Sequence, residues 1–154
     1  MNRCTKVIGL LSAIIGLPWF CSCTTSATPP TPTHEAATIA GFVFRDLNAN
    51  GIRDSREPGE SGIVVSAYDG NNALVVSTTT DLKGDYVLNT ALDSARIVKG
   101  ESYVVIFSGL PDYLVSGPQG KDSGTEVQFV RGGANDVNYG VFNPDQYVAP
   151  KETP

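Results

Sequence analysis

Cysteine and histidine are almost absent from the part of this sequence that could fold into a domain. The three cysteines, Cys4, Cys21 and Cys23, all lie within the first 23 residues, which leaves no disulfide or cysteine-bound metal for the remaining chain. The single histidine, His34, lies in a stretch rich in threonine and proline. The usual general base of serine and cysteine hydrolases is therefore missing. We expect a protein that is not an enzyme and that stabilises its fold without disulfides.

Basic residues are also scarce. The chain of 154 residues has 11 lysines and arginines against 16 aspartates and glutamates, for a net charge of −5. Arg3 and Lys6 precede the first acidic residue, Glu35, so the chain beyond its N-terminal segment is more acidic still. This charge argues against nucleic acid as a partner and favours cations. Solubility alone is the alternative reason for it.

The only long apolar run stands near the N-terminus. It covers Val7 to Phe20, 14 residues interrupted by Pro18, and it follows Arg3 and Lys6. A membrane-spanning helix needs about 20 apolar residues. A shorter run behind a positively charged start is typical of a signal peptide. We therefore expect residues 1–23 to be an export signal.

The end of this segment predicts how the chain is processed. Phe20-Cys21-Ser22-Cys23 resembles the lipobox of bacterial lipoproteins. The resemblance implies a lipid on Cys23 and anchoring to a membrane, on the extracytoplasmic side or at the cell surface. The alternative is ordinary cleavage, for example after Ala27, which would release a secreted protein.

Two polar segments that contain proline flank the central part of the chain. Residues 24–37 (TTSATPPTPTHEAA) cannot form a core and are expected to be an extended tether. Residues 144–154 (PDQYVAPKETP) are expected to be a disordered tail. The folded domain is therefore placed at residues 38–143, which is long enough for one small core.

Apolar residues in the central part alternate with a period of two, not 3.6. The alternating segments are residues 39–44, 63–68, 86–88, 103–107, 127–129 and 137–141, and residues 74–80 form a β-branched run. Turn sequences such as Asp69-Gly70-Asn71-Asn72 separate these segments. We predict an all-β fold, a seven-stranded antiparallel β-sandwich. Residues 91–98 are expected to form a loop.

Residues 46–57 (DLNANGIRDSRE) have the spacing of an EF-hand-type calcium loop. Gly51 occupies position 6, where the chain must turn sharply. The predicted Ca²⁺ ligands at positions 1, 3, 5, 7, 9 and 12 are Asp46, Asn48, Asn50, Ile52 through its backbone carbonyl, Asp54 and Glu57. Because strands are expected on both sides, we interpret the loop as a structural clip and not as a sensor. The alternative is a turn that is merely rich in Asp and Asn.

Two further sets of residues are weaker candidates for binding. Asp81, Asp85 and Asp136 could help to hold a second ion, but capping a turn is the more common role of such aspartates. Five tyrosines could form a sugar-stacking face, although tyrosines on alternating strands more often pack against other residues. These are Tyr68, Tyr86, Tyr103, Tyr113 and Tyr139.

Several segments together resemble a known family. Ile39 to Asp46 (IAGFVFRD) leads into the loop, and Pro58 to Val65 (PGESGIVV) leaves it. Thr78 to Tyr86 (TTTDLKGDY) and Asn135 to Phe142 (NDVNYGVF) follow in the expected order. Over residues 37–143 the chain resembles the SdrD B-like domain, the calcium-binding B-type repeat of staphylococcal serine-aspartate repeat surface proteins.

The resemblance implies a prealbumin-like, immunoglobulin-related β-sandwich that calcium makes rigid. It also implies a structural or adhesive role at the cell surface, without catalysis. The alternative is a calcium-dependent module that binds a surface glycan or a protein. Related surface domains form Lys–Asn isopeptide bonds from a lysine on the first strand. Here that strand carries Arg45 and no lysine, so we expect no such bond.

Overall fold

The fold is seen in a computed structural model that describes residues 35–89 and 97–146. The predicted export signal with Cys23 and the tether up to His34 lie outside the described residues. The same holds for most of the loop expected at residues 91–98 and for the tail from residue 147 onward.

The described part of the chain forms eight β-strands and no α-helix. The strands are β1 (Ile39–Arg45), β2 (Val64–Tyr68), β3 (Leu74–Thr79), β4 (Asp85–Leu88), β5 (Ser102–Ser108), β6 (Val115–Ser116), β7 (Val127–Arg131) and β8 (Tyr139–Phe142). They form a first sheet in the order β4-β1-β8-β6 and a second sheet in the order β3-β2-β5-β7. The predicted all-β sandwich is thus confirmed.

Two details of that prediction are wrong. The strand count is eight and not seven, because β6 was missed. This strand has only two residues and pairs with the end of β8, so it is too short to show alternation. In addition, the sandwich is not wholly antiparallel, since β1 and β8 pair in parallel with Val43 opposite Tyr139. The long chain between these two strands makes a parallel pair possible.

The core lies between the two sheets and is formed by the inward residues of the alternating strands. On β5, for example, Tyr103, Val105 and Phe107 are buried while their neighbours are not. The Phe107 ring stacks on Tyr139 at a centroid distance of 4.8 Å and meets Tyr86 edge-on at 5.8 Å. The Tyr86 hydroxyl donates a hydrogen bond of 2.6 Å to the carbonyl of Val137, which satisfies its one buried polar group. Burial raises the pKa of Tyr86 well above its usual value.

The ordered domain reaches slightly beyond both predicted boundaries. At its start, the Ala37 N–H donates to the Ile97 carbonyl at 2.8 Å, and the Lys99 N–H donates to the Glu35 carbonyl at 2.9 Å. The last residues of the expected tether therefore pair with the domain. At its end, Pro144–Gln146 form a short 3-10 helix at the beginning of the expected tail. No helix among the described residues is long and apolar enough to cross a membrane.

Gly84 lets the β3–β4 turn approach β1. The Gly84 N–H donates to the Asp81 carbonyl at 3.0 Å, and the Gly84 carbonyl accepts the Val43 N–H at 2.8 Å. Gly84 has φ +80°, and a Cβ there would lie 2.1 Å from the Val43 carbonyl oxygen. Gly62 has a similar φ of +83°, but a Cβ there would meet nothing within 4 Å. Substitutions at these two glycines therefore distinguish the cost of the positive backbone angle from the cost of a clash with β1.

We predict that Gly84→Ala destabilises the domain more than Gly62→Ala. The Gly62 variant should lose about 1–2 kcal/mol from the left-handed backbone angle. The Gly84 variant should lose about 1–3 kcal/mol in addition, because the turn must move away from β1. Urea unfolding followed by tyrosine fluorescence measures both losses. Equal losses would show that the close contact of Gly84 with β1 adds nothing to the destabilisation.

Candidate metal centre

The loop of residues 46–57 begins directly after β1, and its first residue is fully buried. Asp46 has an exposed fraction of 0%. One of its carboxylate oxygens accepts the N–H of Gly51 at 2.7 Å, and the other accepts the N–H of Asn50 at 3.1 Å. A buried carboxylate needs such donors, because an unpaired charge in the interior is strongly unfavourable. The side chain of Asp46 therefore folds the first half of the loop around itself.

Glu57 holds the second half of the loop in the same way. Its exposed fraction is 7%, and its carboxylate accepts the N–H of Leu47 at 2.8 Å and the N–H of Asp54 at 3.0 Å. The first predicted ligand is thus tied to the middle of the loop, and the last one is tied to residues near its start and near its end. The loop is closed on itself by its own acidic side chains.

Three more of the predicted ligands meet inside the loop. The amide nitrogens of Asn48 and Asn50 donate to the same Asp54 carboxylate oxygen, at 2.8 and 3.3 Å. The side-chain oxygen of Asn50 accepts the Ile52 N–H at 2.7 Å. The side-chain oxygen of Asn48 is buried and has no hydrogen-bond partner. A buried acceptor without a donor is unfavourable, so this oxygen is suited to a cation.

The donor set fits calcium in its chemistry. Carboxylate, amide and backbone oxygens are the hard ligands that Ca²⁺ prefers, and the half-exposed Ile52 side chain agrees with a role for its carbonyl alone. Among the described residues, no three Asp, Glu, His or Cys side chains converge as a metal site. An ion in this loop would therefore depend on amide oxygens such as that of Asn48.

Gly51 makes the turn in the middle of the loop and contacts a second loop. It has φ +69°, and a Cβ there would lie 2.7 Å from the backbone nitrogen of Gly120. The Asp122 N–H donates to the Gly51 carbonyl at 3.0 Å, and the Asp122 carboxylate accepts the Arg53 N–H at 3.2 Å. We call residues 117–124 the clasp loop. It fixes the second half of the 46–57 loop from outside.

The clasp loop was missed by sequence reasoning. In the sequence it shows only as a turn with three glycines, Gly117, Gly120 and Gly124. Its contact with the 46–57 loop joins residues 69 positions apart, as between Arg53 and Asp122. The one available signal was the glycine at position 120, since two backbones in such close contact leave no room for side chains.

Two arginines support the loop at its base. The Arg45 guanidinium is paired through Nε and Nη2 with the buried Glu60 carboxylate, and this hydrogen bonding raises the pKa of Arg45. The Arg45 side chain also lies over the Tyr113 ring at 5.8 Å. Arg53 lies over the Phe42 ring at 4.4 Å, a favourable cation–π distance. The contact of Arg53 with Phe42 on β1 holds the loop against the first sheet.

The weaker candidates do not form a second site among the described residues. The Asp81 carboxylate accepts the N–H groups of Lys83 and Asp85 at 2.8 and 2.9 Å, so it caps the β3–β4 turn. Asp85 and Asp136 are exposed. A polar depression of about 440 Å³ beside the clasp loop contains Asp122 and Asp136, but the Asp122 carboxylate already holds the Arg53 N–H.

The five tyrosines do not form a common exposed face, and the packing role favoured from the sequence is confirmed for three of them. Tyr86, Tyr103 and Tyr139 are buried in the core, because the packing of the two sheets places them on the inner side. Tyr68 is half-buried and Tyr113 lies beside Arg45. The most exposed aromatic ring of the described residues is instead Phe129 on β7, at 84%.

We predict that Glu57→Ala destabilises the domain even in the presence of a chelator. The substitution leaves the N–H groups of Leu47 and Asp54 without their acceptor, at an expected loss of about 1–3 kcal/mol. The control is Glu101→Ala, because Glu101 is exposed and lies outside the loop. The midpoint of urea unfolding measures the difference. If both variants unfold at the same urea concentration, the Glu57 carboxylate does not hold the loop.

Comparison with known proteins places this fold and loop in a family. The sequence model of the SdrD B-like domain matches residues 37–143. Serine-aspartate repeat-containing protein F of Staphylococcus epidermidis is 26% identical over 132 residues, which are 78% of this chain and 7% of that protein. Serine-aspartate repeat-containing protein D of Staphylococcus aureus strain Newman is 36% identical over 55 residues, 36% of this chain and 4% of that protein.

A similar sequence also occurs outside the bacteria. Colossin-B of Dictyostelium discoideum is 34% identical over 91 residues, which are 54% of this chain and 2% of that protein. The chain therefore spans only a small part of each of these relatives. Since the family model covers most of the chain and agrees with the two-sheet fold, this chain belongs to the SdrD B-like domain family.

Proposed function

We propose that this domain is a non-catalytic, calcium-stabilised structural or adhesive module that acts outside the cytoplasm. Membership of the SdrD B-like family supports the structural role. Two of the relatives are named as serine-aspartate repeat-containing proteins, which is consistent with a module used as a building unit. The absence of histidine after residue 34 supports the lack of catalysis.

The observation that carries the calcium proposal is the unpartnered oxygen of Asn48 inside the closed 46–57 loop. This oxygen is buried, and the carboxylates of Asp46 and Glu57 are buried beside the same loop. The three acidic residues of the loop, including Asp54, repel one another through their like charges. A bound Ca²⁺ would supply positive charge and accept these oxygens as ligands.

The position of the loop explains why its stiffness matters. The loop connects β1 of the first sheet to β2 of the second. Its base is closed by backbone pairing between Phe44 and Gly59, with the Arg45 N–H donating to the Pro58 carbonyl at 2.9 Å. The clasp loop likewise connects β6 of the first sheet to β7 of the second. Both crossovers meet at Gly51 and Gly120, so fixing the loop fixes the two sheets relative to each other.

The alternative is a calcium-dependent module that binds a surface glycan or a protein, and a face of exposed tyrosines does not support it, because three of the five candidate tyrosines are buried. A structural or adhesive role does not need this face. The calcium loop then stiffens a domain that has no disulfides, as the positions of Cys4, Cys21 and Cys23 require.

We predict that calcium raises the melting temperature of the full-length chain. At calcium 100-fold above its dissociation constant, linkage gives about 2.7 kcal/mol, which corresponds to roughly 10–20 °C for a domain of about 100 residues. Differential scanning calorimetry in calcium and in chelator measures the shift. Asp54→Ala should abolish it, whereas Asp85→Ala, an exposed aspartate outside the loop, should keep it. A melting temperature that is unchanged by chelator would contradict calcium binding.

We also propose that the domain is held at a membrane by a lipid on Cys23. The sequence that supports this is the apolar run from Val7 to Phe20 followed by Cys21-Ser22-Cys23. Metabolic labelling with a fatty acid in a bacterial host should mark the wild type and Cys21→Ala, but not Cys23→Ala. Recovery of an unlabelled wild-type protein from the medium would show plain secretion.

A further inference from the structure

Asn50 and Gly51 form the only Asn-Gly pair in the chain. In such a pair the backbone nitrogen of the glycine can attack the side-chain carbonyl carbon of the asparagine, because glycine has no side chain that obstructs the approach. The reaction expels ammonia and is a common route of spontaneous protein ageing. The pair lies at the centre of the 46–57 loop, so this chemistry would act on the loop itself.

In the folded loop both reacting groups are engaged in hydrogen bonds. The Gly51 N–H, which carries the attacking nitrogen, donates to the buried Asp46 carboxylate at 2.7 Å. The Asn50 amide is held at both of its ends, since its oxygen accepts the Ile52 N–H at 2.7 Å and its nitrogen donates to Asp54 at 3.3 Å. Attack would require these hydrogen bonds to break.

The clasp loop also restricts the motion of the Gly51 backbone. The Gly51 carbonyl accepts the Asp122 N–H at 3.0 Å. A Cβ on Gly120 would lie 2.4 Å from that same carbonyl oxygen, so the two backbones are in direct contact. Gly51 cannot rotate towards the Asn50 side chain while this contact exists. Asn50 itself is exposed, so water reaches it as soon as the loop opens.

We propose that Asn50–Gly51 is a spontaneous deamidation site that the closed loop keeps latent. When the loop opens, the Gly51 nitrogen forms a bond to Cγ of Asn50 and gives up its proton. The bond from Cγ to Nδ2 then breaks and ammonia leaves, which produces a five-membered succinimide. Water adds to one of the two ring carbonyls and opens the ring. The product is aspartate if the bond to Cγ breaks, or isoaspartate if the original backbone bond breaks.

Either product changes the loop permanently. Aspartate adds a negative charge beside Asp54, whose carboxylate already faces the Asn50 amide. Isoaspartate adds one atom to the backbone next to Gly51, where Gly120 leaves no space. The fraction of chains deamidated at Asn50 would therefore increase with the frequency at which the loop opens. This inference does not depend on calcium binding and goes beyond the proposed function.

The test is peptide mapping by mass spectrometry of the full-length chain after incubation in native buffer and in urea. In urea, Asn50 should deamidate faster than Asn71, which is followed by Asn72 and not by glycine. In native buffer, Asn50 should react at least about tenfold more slowly than in urea, because only the open form reacts. Equal rates in both solvents, or a rate in urea no faster than that of Asn71, would overturn the proposal.

A pair of variants tests the role of the clasp loop in the native state. Asp122→Ala removes the carboxylate that holds the Arg53 N–H and should raise the native deamidation rate at Asn50 several-fold. Asp136→Ala is the matched control, because Asp136 lies in the same depression but makes no hydrogen bond to the 46–57 loop among the described residues. Equal rates in the two variants would contradict a protective role of the Asp122 carboxylate in the clasp loop.

Discussion

The buried carboxylate of Asp46 is the interaction on which the rest of this domain depends. The backbone N–H of Asp46 donates to the carbonyl of Val141 on β8 at 2.8 Å, so Asp46 continues the parallel pairing of β1 with β8. The carboxylate of Asp46 accepts hydrogen bonds from the N–H groups of Asn50 and Gly51. A charge at this depth is tolerated only when it is fully hydrogen-bonded or neutralised. The central strands and the loop are therefore coupled through one residue.

The coupling extends to the second sheet through the clasp loop. The backbone of Gly117 donates to the Gly140 carbonyl at 2.8 Å, and a Cβ on Gly117 would lie 3.7 Å from the Asp46 carboxylate. Three positions further on, Gly120 contacts Gly51. The two connections between the sheets on this side thus pack against each other. Anything that loosens the 46–57 loop should also loosen the junction of the two sheets.

This arrangement suits a small domain without disulfides. In such a domain the hydrophobic core alone gives a narrow margin of stability, and an ion that binds only the folded state adds to it. The carboxylates of Asp46 and Glu57 shape the loop through their hydrogen bonds to its backbone. The same closure slows the deamidation proposed for the Asn50–Gly51 pair. Mechanical stiffness and chemical durability therefore have one structural origin.

Local patterns in the sequence determined the strands and the candidate loop. The alternation in Tyr103–Phe107 predicts an inward and an outward face, and β5 shows both. The spacing from Asp46 to Glu57 predicts a calcium-binding loop between two strands. The structure places these residues in one loop between β1 and β2, and calcium binding stays a prediction. Each of these features depends on neighbours within a few positions, which is why the sequence alone was sufficient.

Only the tertiary structure decided how these pieces meet. The parallel pairing of β1 with β8, the two-residue strand β6 and the contact of Gly51 with Gly120 leave no periodic trace in the sequence. Each joins residues that are far apart in the chain, and many pairings of the same strands would satisfy the same alternation. Whether a tyrosine such as Tyr86 faces the core or the solvent was settled in the same way. Packing between distant segments selects one arrangement, and the sequence pattern does not.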